Sequence, residues 1–150
     1  MEFEEGKEFS FIIEKLITLP DGQYYILLAE FDQKYLMPAK FYSEYGFKIG
    51  QEIFCRIDKV NCNGKVFLEP RHPLYSIGDK DVFLLKEEEE RIKHKTKEKY
   101  LVIKAESSKT KHAIIDIDSR NYNYSQGERH ICEIIKIKKG EVILKAISKA

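Results

Sequence analysis

The chain has 150 residues, 43% hydrophobic and 34% charged, and its 26 Lys+Arg nearly balance 25 Asp+Glu at a net charge of +1. That composition can bury a core, and no segment is apolar for long enough to cross a bilayer. The acidic opening MEFEEGKEF lacks the positive-then-apolar order of a secretory signal, and the three cysteines cannot all pair within the chain, so a soluble protein of the reducing cytoplasm with no membrane contact is expected.

In chain order, FSFIIEKLI (Phe9 to Ile17) alternates as a first strand and Pro20-Asp21-Gly22 makes a turn. YYILLAEF gives a second strand, KYLMPAKF a third, and FYSEYG a short helical turn closing at Gly46. GQEIFCRIDKV, an Asn63-Gly64 turn of the kind that suits a two-residue hairpin, and GKVFLEP supply strands four and five. EPRHPLYSIGD, broken by Pro70 and Pro73, reads as a linker. VFLLK then opens a second series, followed by the charged insertion KEEEERIKHKTKEK, the strands YLVIKAE and KHAIIDID, a polar link SRNYNYSQG and a final hairpin.

The second series repeats the first. Gly50 falls on Gly127, Cys55 on Cys132, Ile57 on Ile134 and Lys59 on Lys136 without a gap. After the turn is shortened by one residue, Gly64, Val66 and Leu68 fall on Gly140, Val142 and Leu144. Upstream, YYILLA lies over YLVIKA, and GKEFSF over GDKDVF. A repeat of about 70 residues is within the range of a small independent domain. Five short strands with a helical or irregular link between the third and fourth is the order of an OB barrel. The expected fold is therefore all-β, two tandem five-stranded OB barrels, residues 1–77 and 78–150.

The carriers of a family resemblance are the aromatic second strand after a turn (GQYYILL), the third strand running into a proline and helical turn (YLMPAKFY), and a glycine before an alternating fourth strand with a Gly-led fifth (GQEIFCRIDKV, GKVFLEP). In these the chain resembles the RNA-binding domain named after ribosomal protein S-one, in two copies. The resemblance implies single-stranded RNA held on the outer face of strands two and three and their neighbours, which by position points to Tyr24, Tyr35, Phe54, Arg56, Lys65 and Phe67.

Period-two alternation assigns the faces independently. Lys104 should avoid the core, which turns Tyr100 and Val102 outward with it and Leu101 and Ile103 inward. By alignment Tyr24, Ile26 and Leu28 face out. Ile53, Cys55 and Ile57 face in, leaving Phe54, Arg56, Asp58, Lys65 and Phe67 outside. An apolar outer patch of this size needs cover. Its rings and cations suit base stacking, whereas Ile26 and Leu28 suit a protein surface better.

Residues 1–77 carry 9 Lys+Arg against 12 Asp+Glu, a net of −3, and residues 78–150 carry 17 against 13, a net of +4. Phosphate contacts are accordingly expected from Lys104, Lys136 and Lys145 as well as Arg56 and Lys65. The insertion, acidic then basic, reads as a solvated loop or short helix, or else as a phosphate-contacting finger of Lys93, Lys95, Lys97 and Lys99.

Other chemistry has little to stand on. Cys55 and Cys132 read as core residues, and Cys55, Cys62 and His72 match no familiar zinc spacing. Asp116 and Asp118 alternate as on any solvated strand, and His130 points inward. No glycine-rich phosphate loop and no nucleophile with a base at a recognisable spacing is present, so neither catalysis nor a cofactor is expected. The expectation is a non-enzymatic module for single-stranded nucleic acid, RNA favoured. The alternative is an interaction or scaffold protein using the same faces for a homodimer or a protein partner.

Overall fold

The computed structural model describes residues 3–117 and 123–150. The chain is all-β, with two five-stranded sheets. It divides into two compact units, Met1–Pro73 and Leu74–Ala150. The division falls before the expected boundary after Ile77, and Tyr75 is the reason. Read as part of a linker, it is buried in the second core against Phe83 and Leu85. Its hydroxyl donates to Asp81 Oδ2 at 2.6 Å and lies 2.6 Å from Ser107 Oγ. Among the described residues, no helix is long and apolar enough to cross a membrane.

In the first unit β1 (Glu8–Leu19), β2 (Gly22–Leu28), β3 (Lys34–Pro38), β4 (Glu52–Val60) and β5 (Val66–Pro70) form a sheet in the order β3-β2-β1-β4-β5. Every neighbouring pair is antiparallel. β1 serves two partners: Glu8–Ile12 pair with β4 and Ile12–Leu19 with β2, and the register shifts between Ile13 and Lys15. Such a bulge bends a strand and lets one long strand turn from one neighbour to the next. The inward positions of β4, Ile53, Cys55 and Ile57, are buried with Phe11, Ile13, Leu27, Met37, Tyr42 and Leu68. A 3-10 turn, Lys40–Tyr42, carries Tyr42 into that core. β3 and β5 do not pair, so this sheet stays open where a closed barrel is expected from the sequence.

The second unit repeats the order with β6 (Lys80–Ile92), β7 (Lys99–Glu106), β8 (Ala113–Asp116), β9 (Arg129–Lys138) and β10 (Glu141–Lys149). Here β10 pairs antiparallel with β9 and parallel with β8, Ala113–Ile115 lying against Val142–Leu144, and the sheet closes on itself. Phe83, Leu85, Ile103, Ile115, Cys132, Ile134, Val142 and Leu144 fill the interior. Each such side chain contributes roughly 1.5–3 kcal/mol by leaving water.

Two local expectations change. Most of residues 86–99 is not a loop or short helix: β6 runs on to Ile92 and β7 starts at Lys99, so the stretch is one long hairpin in which only residues 93–98 form a turn. The two-residue turn belongs to the second copy: Lys138 pairs with Glu141 around Lys139 (φ 52) and Gly140 (φ 75), the positive φ values that a tight hairpin turn demands. The first copy instead closes from Asn61 N–H to Lys65 O at 2.9 Å, with Gly64 in the left-handed region.

Candidate nucleic-acid interface

On the outer face of the first unit, Ser10 lies opposite Phe54 and Glu8 opposite Arg56. Tyr24 lies opposite Ile17 and Pro38, while Ile26 and Leu28 lie beside Leu36 and Lys34. Phe54 and Phe67 are 38% and 37% exposed, and Tyr24 is half-buried. The register separates these rings. Phe67 lies opposite Lys59, five residues along β4 from Phe54, or about 17 Å at ~3.4 Å per residue. Tyr24 sits at the far end of β1 from both. The expected outer patch is therefore a set of separate rings with aliphatic residues between them.

Each ring has its own polar company. The Arg71 guanidinium lies over Phe54 at 4.5 Å from the ring centre. It is held there by Glu8, whose Oε2 accepts from Nε at 2.7 Å and whose Oε1 accepts from Nη2. The Arg71 amide also donates to Phe54 O at 3.0 Å, so the backbone as well as the side chains brings the two residues together. Hydrogen bonding to Glu8 raises the guanidinium pKa further. Lys65 Nζ lies 5.0 Å from the centre of Phe67. Tyr24 donates to Asp21 Oδ2 at 2.5 Å, and that bond raises its pKa. Arg56 Nη2 donates to Asp58 Oδ1 at 3.0 Å.

Tyr35 is a correction. It pairs with Leu27 and faces the core side, its ring 5.1 Å from Phe3 and 6.1 Å from Phe11, and burial raises its pKa. The resemblance placed it on the outer face, but alternation along β3 turns Lys34, Leu36 and Pro38 outward instead. Two features were not anticipated. Arg71 lies in a segment read as linker, and its partner Glu8 is 63 residues away. Phe31, read as the last residue of the second strand, lies instead in a 3-10 turn beyond the end of β2, 84% exposed at φ 60.

In the second unit Tyr100 has Lys93 Nζ 5.8 Å from its ring centre, and Lys104 Nζ lies 3.6 Å from a Glu87 oxygen. Lys136 and Lys145 are exposed, opposite Ile143 and Glu133. Val102 keeps the outward register opposite Glu89 and Asp116 but is fully buried. Leu101, expected inside, is exposed because β7 there runs past the end of β8. His130 points inward, 5% exposed, with Tyr124 edge-on at 5.3 Å. Asp116 is exposed, and its suggested partner Asp118 lies outside the described residues.

The buried polar groups offer little reactivity. Cys55 is fully buried, and burial and the nearby Glu69 carboxylate push its thiol up, away from the reactive thiolate. Glu69, 5% exposed, bonds to Tyr42, and burial with that carboxylate raises the pKa of Tyr42 and Tyr45. His72 packs edge-on to Tyr45 at 5.2 Å, and burial lowers its pKa. Cys62 is exposed on the turn, apart from the buried Cys55. Among the described residues, no group of three or more His, Cys, Asp or Glu could hold a metal ion. No protein-family model matches the chain, and no curated protein is significantly similar to it.

Proposed function

We propose that the chain is a non-enzymatic module of two OB-fold domains that holds single-stranded nucleic acid, RNA in preference, on its outer faces. The strand order supports the fold: the first strand pairs with both the second and the fourth, and in the second unit a parallel pair joins the third to the fifth, as a five-stranded Greek-key barrel requires. One observation carries the ligand. Phe67 and Tyr100, two of the outward rings, each have a lysine ammonium beside them, 5.0 and 5.8 Å from the ring centre. A ring bordered by a cation meets both parts of a nucleotide, the base on the π-face and the phosphate at the charge. Because the rings of the first unit are spaced rather than clustered, an extended strand suits them better than a single nucleotide. A duplex, whose bases are already stacked, cannot use them. Lys104, Lys136 and Lys145 on the more basic second unit supply the phosphate attraction.

A second reading, a docking surface for a protein partner or a second copy, draws on the neighbouring aliphatic residues. Ile12 lies beside Leu28, and Ile26 beside Leu36, with Ile12 and Leu36 44% and 46% exposed. Titrating a labelled mixed-sequence RNA at low and higher salt separates the two. Under the nucleic-acid reading the affinity falls with salt. Phe54→Ala or Tyr24→Ala weakens binding by about 5- to 150-fold, corresponding to ~1–3 kcal/mol per stacked base. An absence of binding at low salt, together with a dimer in sedimentation, would transfer the conclusion to the second reading.

A further inference from the structure

Of the charged stretch from Lys86 to Lys99, only Lys93, beside the Tyr100 ring, enters the function above. In sequence it is acidic and then basic, and the folded hairpin treats its two halves differently. The acidic half is neutralised at the root. Glu87 lies 3.6 Å from Lys104, Glu89 accepts from Arg91 Nε at 2.8 Å, and Glu90 lies 3.5 Å from Lys99. Arg91 also donates through Nη1 and Nη2 to the two oxygens of Glu141 at 2.6 and 2.8 Å. This two-pronged bond ties the arm of the hairpin to the first residue of β10. Paired guanidinium–carboxylate bonds of this kind fix direction as well as energy.

The basic half forms the tip. Lys93, Lys95 and Lys97 are exposed there, with Glu98 3.9 Å from Lys93. The turn is closed by Lys93 N–H to Glu98 O at 2.8 Å and Lys97 N–H to Lys93 O at 2.9 Å, with Lys97 at φ 61. A basic turn on a clamped hairpin loses less freedom on meeting a polyanion than a flexible tail does.

We infer that this tip is a phosphate-gripping arm: Lys93, Lys95 and Lys97, aimed by the Arg91–Glu141 clamp, contact the backbone of the strand whose base lies on Tyr100. Arg91 is a positioning residue, already occupied by two carboxylates and making no phosphate contact of its own. The inference rests on the nucleic-acid reading, and its test keeps the two apart.

Single-stranded RNA and, in parallel, inorganic polyphosphate are titrated against the full chain and its variants. In Lys95→Gln/Lys97→Gln two phosphate contacts are lost. Between about 50 and 200 mM salt the unmodified chain should then lose about 7-fold more RNA affinity than this variant, from a slope of roughly 0.7 per contact. Arg91→Met, and more mildly Glu141→Gln, should lower affinity several-fold at both salt levels while leaving the slope unchanged, because the tip keeps its charges. Loss of stability alone would not produce that split, and amide spectra confirm that each variant is folded. RNA binding with the same slope in the Lys95→Gln/Lys97→Gln variant overturns the arm and leaves the proposed function standing. If the unmodified chain binds no RNA, that function falls and polyphosphate decides the arm. A slope that shrinks in the variant keeps the arm as a polyanion site, and no polyphosphate binding removes it as well.

Discussion

The two units follow one pattern and close differently. In the second, Ala113–Ile115 lie parallel to Val142–Leu144, whereas in the first the corresponding strands β3 and β5 do not pair. The repeat shows what changed at the seam. Tyr24 corresponds to Tyr100, Leu28 pairs with Lys34, and Lys104 pairs with Ile114, so Lys34 and Tyr35 stand where the second unit has Ile114 and Ile115. A parallel pair persists where both its faces are covered. Ile115 faces the core and Ile114 is 5% exposed on the other side, so that condition is met. In the first unit Lys34 is at the surface, 3.0 Å from Glu14, and the Tyr35 ring is engaged by Phe3 and Phe11. Closure therefore depends on whether the last pair of strands can be apolar on both faces. A shared strand order does not secure it.

The largest expected effect is at that seam. Ile115→Ala removes a buried side chain from core and closure together and should cost the second unit about 2–5 kcal/mol in urea denaturation. A cost below 1 kcal/mol on the same scale would mean that the seam does not carry the closure. A smaller effect comes from giving the first unit the apolar residues of the second. In Lys34→Ile/Tyr35→Ile, new β3–β5 hydrogen bonds, each worth about 0.5–1.5 kcal/mol, should slow amide exchange in Val66–Leu68. Unchanged exchange there would refute the account of the seam just given.

The smallest effect compares two matching caps. Gln51 Oε1 accepts from the Lys48 amide at 2.9 Å, and Glu128 Oε1, at the same place in the repeat, accepts from the Ser125 amide at 2.6 Å. Only the second is ionisable. The Lys149 ammonium, 2.5 Å away, and then the Ser125 amide hold the Glu128 pKa down to about 2. A carboxyl depressed in the folded state adds stability that is complete above its unfolded pKa of about 4.3 and is lost as pH falls through the folded value. Between about pH 4 and pH 2 the Ser125 amide signal should move while that of Lys48 stays still, and Lys149→Met should shift the Ser125 midpoint upward. Matching titrations at the two amides would contradict this assignment.

Within each strand much was legible. Alternation placed Ile53, Cys55, Ile57, Cys132 and His130 inside and Phe54 and Phe67 outside, and the duplicated glycines and turns marked the repeat before any contact was known. These are properties of a period of two residues, written locally. The candidate site was legible only residue by residue. How far Phe54 stands from Phe67, that Arg71 covers Phe54 from a supposed linker, and that Tyr35 turns inward all depend on register between strands. Bulges at Ile13/Lys15, Ile57/Lys59 and Leu85/Glu88 reset that register.

Sequence by itself determined which side of each strand is apolar and that the pattern occurs twice. Tertiary structure decided which sheet closes, which charges of the long hairpin are neutralised and which rings acquire a cation. Alternation is a property of neighbours in the chain. Closure and pairing bring together groups as distant as Glu8 and Arg71 or Arg91 and Glu141, and they form only where packing on both sides of the sheet allows.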